Sequence, residues 1–149
     1  MKYILIFSLF ITSLVGAEIT PMMRAEFVAR LKTAAESTEK DRFRALLCTE
    51  GLSEEMLKFA RTSSEYNLSE IKKYGEAVGF VWSEPSVDML EVPEANGFRY
   101  IPNLKIKEVL TVSWHDDIRK SDVKSSFAIG IKDGKLWQIG TIKEPIQRK

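Results

Sequence analysis

The chain has 149 residues, with 22 Lys and Arg against 21 Asp and Glu, one His and one Cys. This near-neutral balance provides no general field to attract nucleic acid or an anionic membrane. A single cysteine, Cys48, excludes an intrachain disulfide, and one His beside one Cys excludes the familiar zinc spacings. No glycine-rich nucleotide-binding loop occurs, so the sequence predicts no cofactor and no metal site.

Residues 1–17 have the pattern of a secretory signal peptide. Lys2 precedes an apolar run over residues 4–14, and Val15-Gly16-Ala17 is a small-residue cleavage site before Glu18. The run is shorter than the roughly 20 residues that span a bilayer, although an uncleaved anchor is the alternative. The sequence therefore predicts an exported protein, periplasmic or secreted, that has one domain over residues 18–149 and no membrane contact after cleavage.

The first part of the mature chain is predicted to be helical. Thr20 and Pro21 favour a helix start as N-cap and first helical residue. A second helix is expected after Ser37, where residues 38–41 resemble a capping box. Ser53, followed by two glutamates, opens a third helix. Residues 69–74 are either one more helical turn or a lead-in to the sheet.

After Gly75 the chain is rich in β-branched and aromatic residues, with Gly, Pro and Asn between them. The predicted strands cover residues 77–82, 87–92, 98–101 and 104–115, with a hairpin at 124–142. Helices followed by strands predict an α+β fold, in which N-terminal helices pack on one face of a curved, mostly antiparallel sheet that ends in the C-terminal hairpin.

The hairpin turns at Asp133-Gly134, and two registers compete for it. A two-residue turn places Ile131 opposite Leu136 and Trp137 opposite Gly130. A three-residue bulged loop instead gathers the large apolar residues on one face; these are Phe127, Ile129, Ile131, Trp137 and Ile139. Because burial of one face normally decides register, the bulged register is favoured.

The order of elements and the terminal hairpin Ile131-Lys-Asp-Gly-Lys-Leu-Trp137 resemble the nuclear-transport-factor-2-like (cone-shaped) and cystatin-like superfamily. The resemblance implies a pocket between helices and sheet, which such folds use in isomerases, dehydratases, ligand binders and inert dimerising modules. The cystatin inhibitor motif Gln-x-Val-x-Gly is absent, so protease inhibition is not implied. The residues predicted to line a pocket, with core packing as their alternative role, are Phe127, Ile129, Trp137 and Trp114.

Glu108 is the first candidate for chemistry. In a regular strand it shares a face with apolar neighbours such as Ile106 and Leu110. A desolvated carboxylate there has a raised pKa and suits a general base. Two alternatives are a bulge near Lys107 that turns Glu108 to solvent, and a solvated position at the sheet end.

His115 is the second candidate, because Asp116 and Asp117 follow it. A carboxylate can orient an imidazole for acid/base work. However, Asp116 points to the opposite face in an extended strand, so only a turn would bring the pair together. The alternative is a histidine at a strand end beside a surface loop.

The sequence contains no complete catalytic constellation. It favours a non-enzyme: an exported binding or interaction module whose partner is another protein, a small apolar ligand or a second copy of the chain. The alternative function is a small pocket enzyme of the isomerase or lyase type, with Glu108 or His115 as its acid/base.

Overall fold

The computed structural model describes residues 18–75 and 77–147. The predicted signal peptide and its cleavage site at Ala17 lie outside these residues, although Glu18 lies within them. Within the described part of the chain, no helix combines the length and apolarity needed to cross a bilayer.

Helices come first in the chain and strands follow. The helical elements are α1 (Pro21–Glu36), a 3₁₀ turn (Arg42–Ala45), α2 (Glu54–Tyr74) and α3 (Val87–Leu90). The strands are β1 (Gly79–Ser83), β2 (Glu94–Ala95), β3 (Phe98–Pro102), β4 (Glu108–Asp116), β5 (Ser121–Lys132), β6 (Lys135–Gln138) and β7 (Thr141–Pro145). They form a four-stranded sheet, β1-β4-β5-β6, and a three-stranded sheet, β2-β3-β7, with antiparallel pairing between their strands. The predicted α+β fold with N-terminal helices is confirmed.

The two main helices begin at the residues that the sequence predicts. The Thr20 hydroxyl accepts a hydrogen bond from the Met23 N–H at 3.2 Å, and Pro21 is the first helical residue. The Ser53 hydroxyl likewise accepts from the Met56 N–H at 3.3 Å. Each cap satisfies an N–H that has no partner within its helix. Helix α2 continues through residues 69–74, which are therefore helical.

The predicted second helix after Ser37 is wrong, since only a 3₁₀ turn forms, and its N-cap position is Asp41 rather than the expected Thr38. The helix does not continue because residues 46–48 pair with the edge of β6 instead. The Cys48 N–H donates to the Gln138 carbonyl at 2.9 Å, and the Gln138 N–H donates to the Leu46 carbonyl at 2.7 Å. This short parallel bridge covers part of the open edge of β6.

The predicted strand over residues 87–92 is also wrong, because residues 87–90 form the single helical turn α3. Ser86 has the extended backbone of an N-cap, and Asp88 lies in the first turn, where a carboxylate interacts favourably with the helix dipole. These local preferences outweigh the β-propensity of Val87 and Val92 at a place where none of the seven described strands pairs with the segment.

The core lies between the helices and one face of the larger sheet. Alternation along β4 buries Leu110, Val112 and Trp114 on that face. The intervening side chains of Thr111 and His115 lie on the other face, and they are half-buried and exposed respectively. The helices contribute to the same core the buried residues Phe27, Leu31, Ala34, Ala35 and Leu68.

The hairpin adopts the register with the two-residue turn, so the favoured bulged register is wrong. Asp133 and Gly134 both have positive φ, 51° and 71°, as a type I′ turn requires. Ile131 therefore pairs with Leu136, and Gly130 pairs with Trp137. Leu136 takes the buried position that the bulged register gave to Trp137.

The chain passes from β6 to β7 through a bend at Gly140, which moves it from one sheet to the other. A Cβ at Gly140 would lie 2.8 Å from Leu52 and 3.1 Å from the Cys48 carbonyl oxygen. The Asn103 side chain fixes the bend: its oxygen accepts from the Gly140 N–H at 2.8 Å, and its nitrogen donates to the carbonyls of Cys48 and Glu50.

Candidate functional site

Glu108 lies on the helix-facing side of the sheet, as the alternation predicts. It is the first residue of β4, and its side chain is 16% exposed. Arg24, in the first turn of α1, donates from Nε to Glu108 Oε2 at 2.9 Å, and its terminal nitrogen donates to Oε1. Neither a bulge nor full solvation of the sheet end occurs at this position.

The bidentate pair leaves little scope for acid/base work by Glu108. Both carboxylate oxygens accept hydrogen bonds from Arg24, and the hydrogen bond with Glu108 raises the pKa of the Arg24 guanidinium. The same guanidinium lies 5.8 Å from the centre of the Trp82 ring, which packs edge-on against Phe27. These contacts tie α1 to β4 and β1, so the arrangement is structural.

His115 lies on the opposite face of the sheet, and half of its side chain is exposed. Its Nδ1 is 3.2 Å from Oδ1 of Asp122, the residue opposite it on β5, and its Nε2 is 3.7 Å from Asp117. Asp116 is buried on the helix side and accepts from the N–H groups of Ile118 and Arg119. The structure therefore does not bring His115 together with Asp116 or with Glu108.

Among the described residues, no three His, Cys, Asp or Glu side chains come together in a group that could hold a metal ion. Cys48 is buried beside the bridge to β6.

The four predicted pocket residues occupy two different places. Trp114, Ile129 and Phe127 are at most 2% exposed and pack in the core. Trp137 is half-buried at the sheet edge, where the Arg30 guanidinium lies 5.1 Å from its ring centre. It borders an open depression of about 340 Å³ that is also lined by residues 47–50.

A larger cavity, of about 580 Å³, lies where the C-terminal ends of α1 and α2 meet β1 and β4. Its apolar lining consists of Leu31, Ala35, Ile71, Ala77, Phe80 and Val112. Lys32, Glu36 and Lys72 supply the charged groups of the lining. None of the four predicted pocket residues, and neither Glu108 nor His115, lines this cavity.

The lysines of this cavity have a structural role without any ligand. Lys72 lies in the last turn of α2, where the backbone dipole favours positive charge. In addition, the Lys32 ammonium lies 5.3 Å from the centre of the Phe80 ring, within cation–π range. The apolar lining, rather than these charges, therefore defines what the cavity can accept.

Sequence reasoning missed this cavity because its volume arises from small residues. Ala35, Gly75 and Ala77 fill little space at the ends of two helices that come from distant parts of the chain. The available signal was their small size beside apolar residues at helical spacing, such as Leu31 and Ala35. That pattern also describes an ordinary helix–helix contact, so it does not identify a cavity.

The fold and the site together define a small α+β domain with an apolar cavity between two helices and an antiparallel sheet. Comparison with protein-family models, with curated proteins and with solved structures finds no match to this chain. The function therefore has to be argued from the residues themselves.

Proposed function

We propose that the chain is an exported, non-catalytic binding module that holds a small apolar ligand in the cavity between α1, α2 and β1. The observation that carries the proposal is the cavity itself. Its volume of about 580 Å³ falls within the range of roughly 300–1,000 Å³ that small-molecule sites occupy. Its lining is mostly hydrophobic with a few charged groups, as in ligand pockets generally.

The fold-level resemblance supports the same proposal. Nuclear-transport-factor-2-like and cystatin-like domains, to which the element order is similar, imply a pocket between helices and sheet. Membership of that superfamily remains a prediction. An isomerase or lyase would need its acid/base beside the bound ligand. Arg24 occupies both oxygens of Glu108, and His115 lies on the other face, so binding is the better supported function.

Filling the cavity tests the proposal. Replacing Ala77 with leucine adds three carbons to the lining, and the larger side chain takes space that the ligand would fill. Binding of the apolar fluorophore N-phenyl-1-naphthylamine should weaken at least about tenfold, because each methylene-sized part of the fluorophore that loses its burial costs about 0.8 kcal/mol. Binding is measured by fluorescence titration of the purified protein.

The matched control is Ala29→Leu, which places the same side chain on the exposed side of α1 away from this cavity. It should leave the affinity for the fluorophore unchanged. A wild-type protein that does not bind the fluorophore, or an equal loss in both variants, would contradict a ligand site in this cavity.

Export is the other part of the proposal, and it predicts a mature chain that begins at Glu18. Intact-mass analysis of the protein from the periplasm or culture medium should show the loss of 17 residues. Ala17→Arg should block processing, because signal peptidase requires a small residue there, whereas Glu18→Gln should be cleaved normally. Recovery of only the full-length, cell-associated chain would contradict the export prediction.

A further inference from the structure

Exposed apolar side chains concentrate in one short segment of the chain. The five large ones within residues 78–92, each between 44% and 75% exposed, are Val78, Val81, Val87, Leu90 and Val92. Scattered exposed apolar residues need no explanation, but a concentration of them commonly marks an interaction site. Residues 78–94, which contain these apolar residues and several acidic ones up to Glu94, are called the acidic apolar segment below.

Helix α3 lies within this segment and contains no buried residue. Val87 and Leu90 are three positions apart, which places them on the same side of the helical turn, and both are exposed. A single helical turn has little stability of its own. The structure therefore presents an apolar pair on a turn that the rest of the described chain does not cover.

The charge of the segment is one-sided. Residues 77–98 contain four acids and no Lys or Arg. The acids, all exposed, are Glu84, Asp88, Glu91 and Glu94. None of them is in an ion pair with another described residue. Glu94 lies opposite Arg99 in the pairing of β2 with β3. The carboxylates of Glu84, Asp88 and Glu91 are therefore the ones available to meet positive charge from a partner.

We infer that the acidic apolar segment docks a basic amphipathic segment of another protein, whose apolar side chains cover Val87 and Leu90 and whose Lys or Arg side chains meet the carboxylates. Charge decides between this partner and its competitors. A symmetric dimer through this segment would bring two acidic surfaces together, and an anionic bilayer or nucleic acid would be repelled. The inference does not rest on the cavity, because Phe80 is the one residue of this segment that lines it, and neither Val87 nor Leu90 does.

A synthetic amphipathic helical peptide of leucine and lysine serves as the probe, and the same peptide with glutamate in place of lysine serves as its counterpart. Titration of the isotope-labelled protein by NMR should show lysine-peptide binding, with shifts concentrated in residues 78–94. Binding should weaken several-fold between low and high salt, because exposed charge pairs are screened. The glutamate peptide should not bind.

Two double variants separate the contributions. Asp88→Lys with Glu91→Lys should weaken lysine-peptide binding by about tenfold at low salt. The double variant removes two exposed charge pairs, each of which contributes up to about fivefold to the affinity. Val87→Ser with Leu90→Ser should weaken it by about tenfold or more and leave the salt dependence in place. The control is Asp117→Lys with Ile118→Ser, another exposed acid and apolar neighbour at the β4–β5 turn, and it should bind as the wild type does.

Any one of four results would overturn the inference. These are no binding of the lysine peptide, equal binding of the glutamate peptide, shifts that lie outside the segment, and an equal loss in the control variant. Sedimentation of the free protein provides a further check: a dimer that the Val87→Ser, Leu90→Ser variant abolishes would show that a second copy covers the surface instead.

Discussion

Replacing Trp114 with alanine is expected to lower the free energy of unfolding by about 3–5 kcal/mol, the usual cost of deleting a buried tryptophan side chain. Trp114 is fully buried on the helix-facing side of β4 and is among the largest side chains of the core. A domain of this size has a total stability of only about 5–15 kcal/mol. Urea denaturation followed by far-UV circular dichroism measures the loss, with a reduced folded fraction at 37 °C as the second sign.

Trp114→Phe should cost much less, for a specific reason. The indole Nε1–H has no hydrogen-bond partner among the described residues. Phenylalanine keeps one aromatic ring in the core and removes that polar group, so its cost should stay below about 1.5 kcal/mol. Ile118→Ala, at a side chain that is 94% exposed, should change stability by less than about 0.5 kcal/mol. A phenylalanine variant that lost as much stability as the alanine variant would contradict the absence of a hydrogen-bond partner for the indole N–H.

Sequence reasoning succeeds where the deciding physics is local. The Thr20 and Ser53 caps need only a hydroxyl beside the first helical turn, and both helices start there. Alternation along β4 likewise depends on backbone geometry alone, so the face of Glu108 was predictable. Its partner was not, because Arg24 is 84 positions earlier in the chain. The functional hypothesis for Glu108 depended on that missing information.

The hairpin shows why burial alone can select the wrong register. The burial argument for the bulged register assumes that only one face of the hairpin is covered by the rest of the protein. In the structure the other face is occupied too, since Leu104 lies against Gly130. Residues 46–48 pair with the edge of β6 as well. Both contacts come from distant parts of the chain. The local turn preference of Asp133-Gly134 for two residues was the better guide.

The same reasoning gives the second large effect, at Gly130. Replacement by alanine should destabilise the protein by about 1–3 kcal/mol, the usual cost of overpacking. The added Cβ would lie 2.8 Å from the Leu104 Cβ and 3.0 Å from the Lys105 carbonyl oxygen. Neither atom belongs to the flexible end of a side chain, so the backbone of one segment has to move. Urea denaturation monitored by tryptophan fluorescence measures the change.

Gly79→Ala is the matched control, because it makes the same substitution in the same sheet with no atom within 4 Å of the added Cβ. It should be neutral or stabilising by up to about 1 kcal/mol, since alanine restricts the unfolded chain more than glycine does. Equal stability of the two variants would contradict the close contact of Gly130 with Leu104 and Lys105.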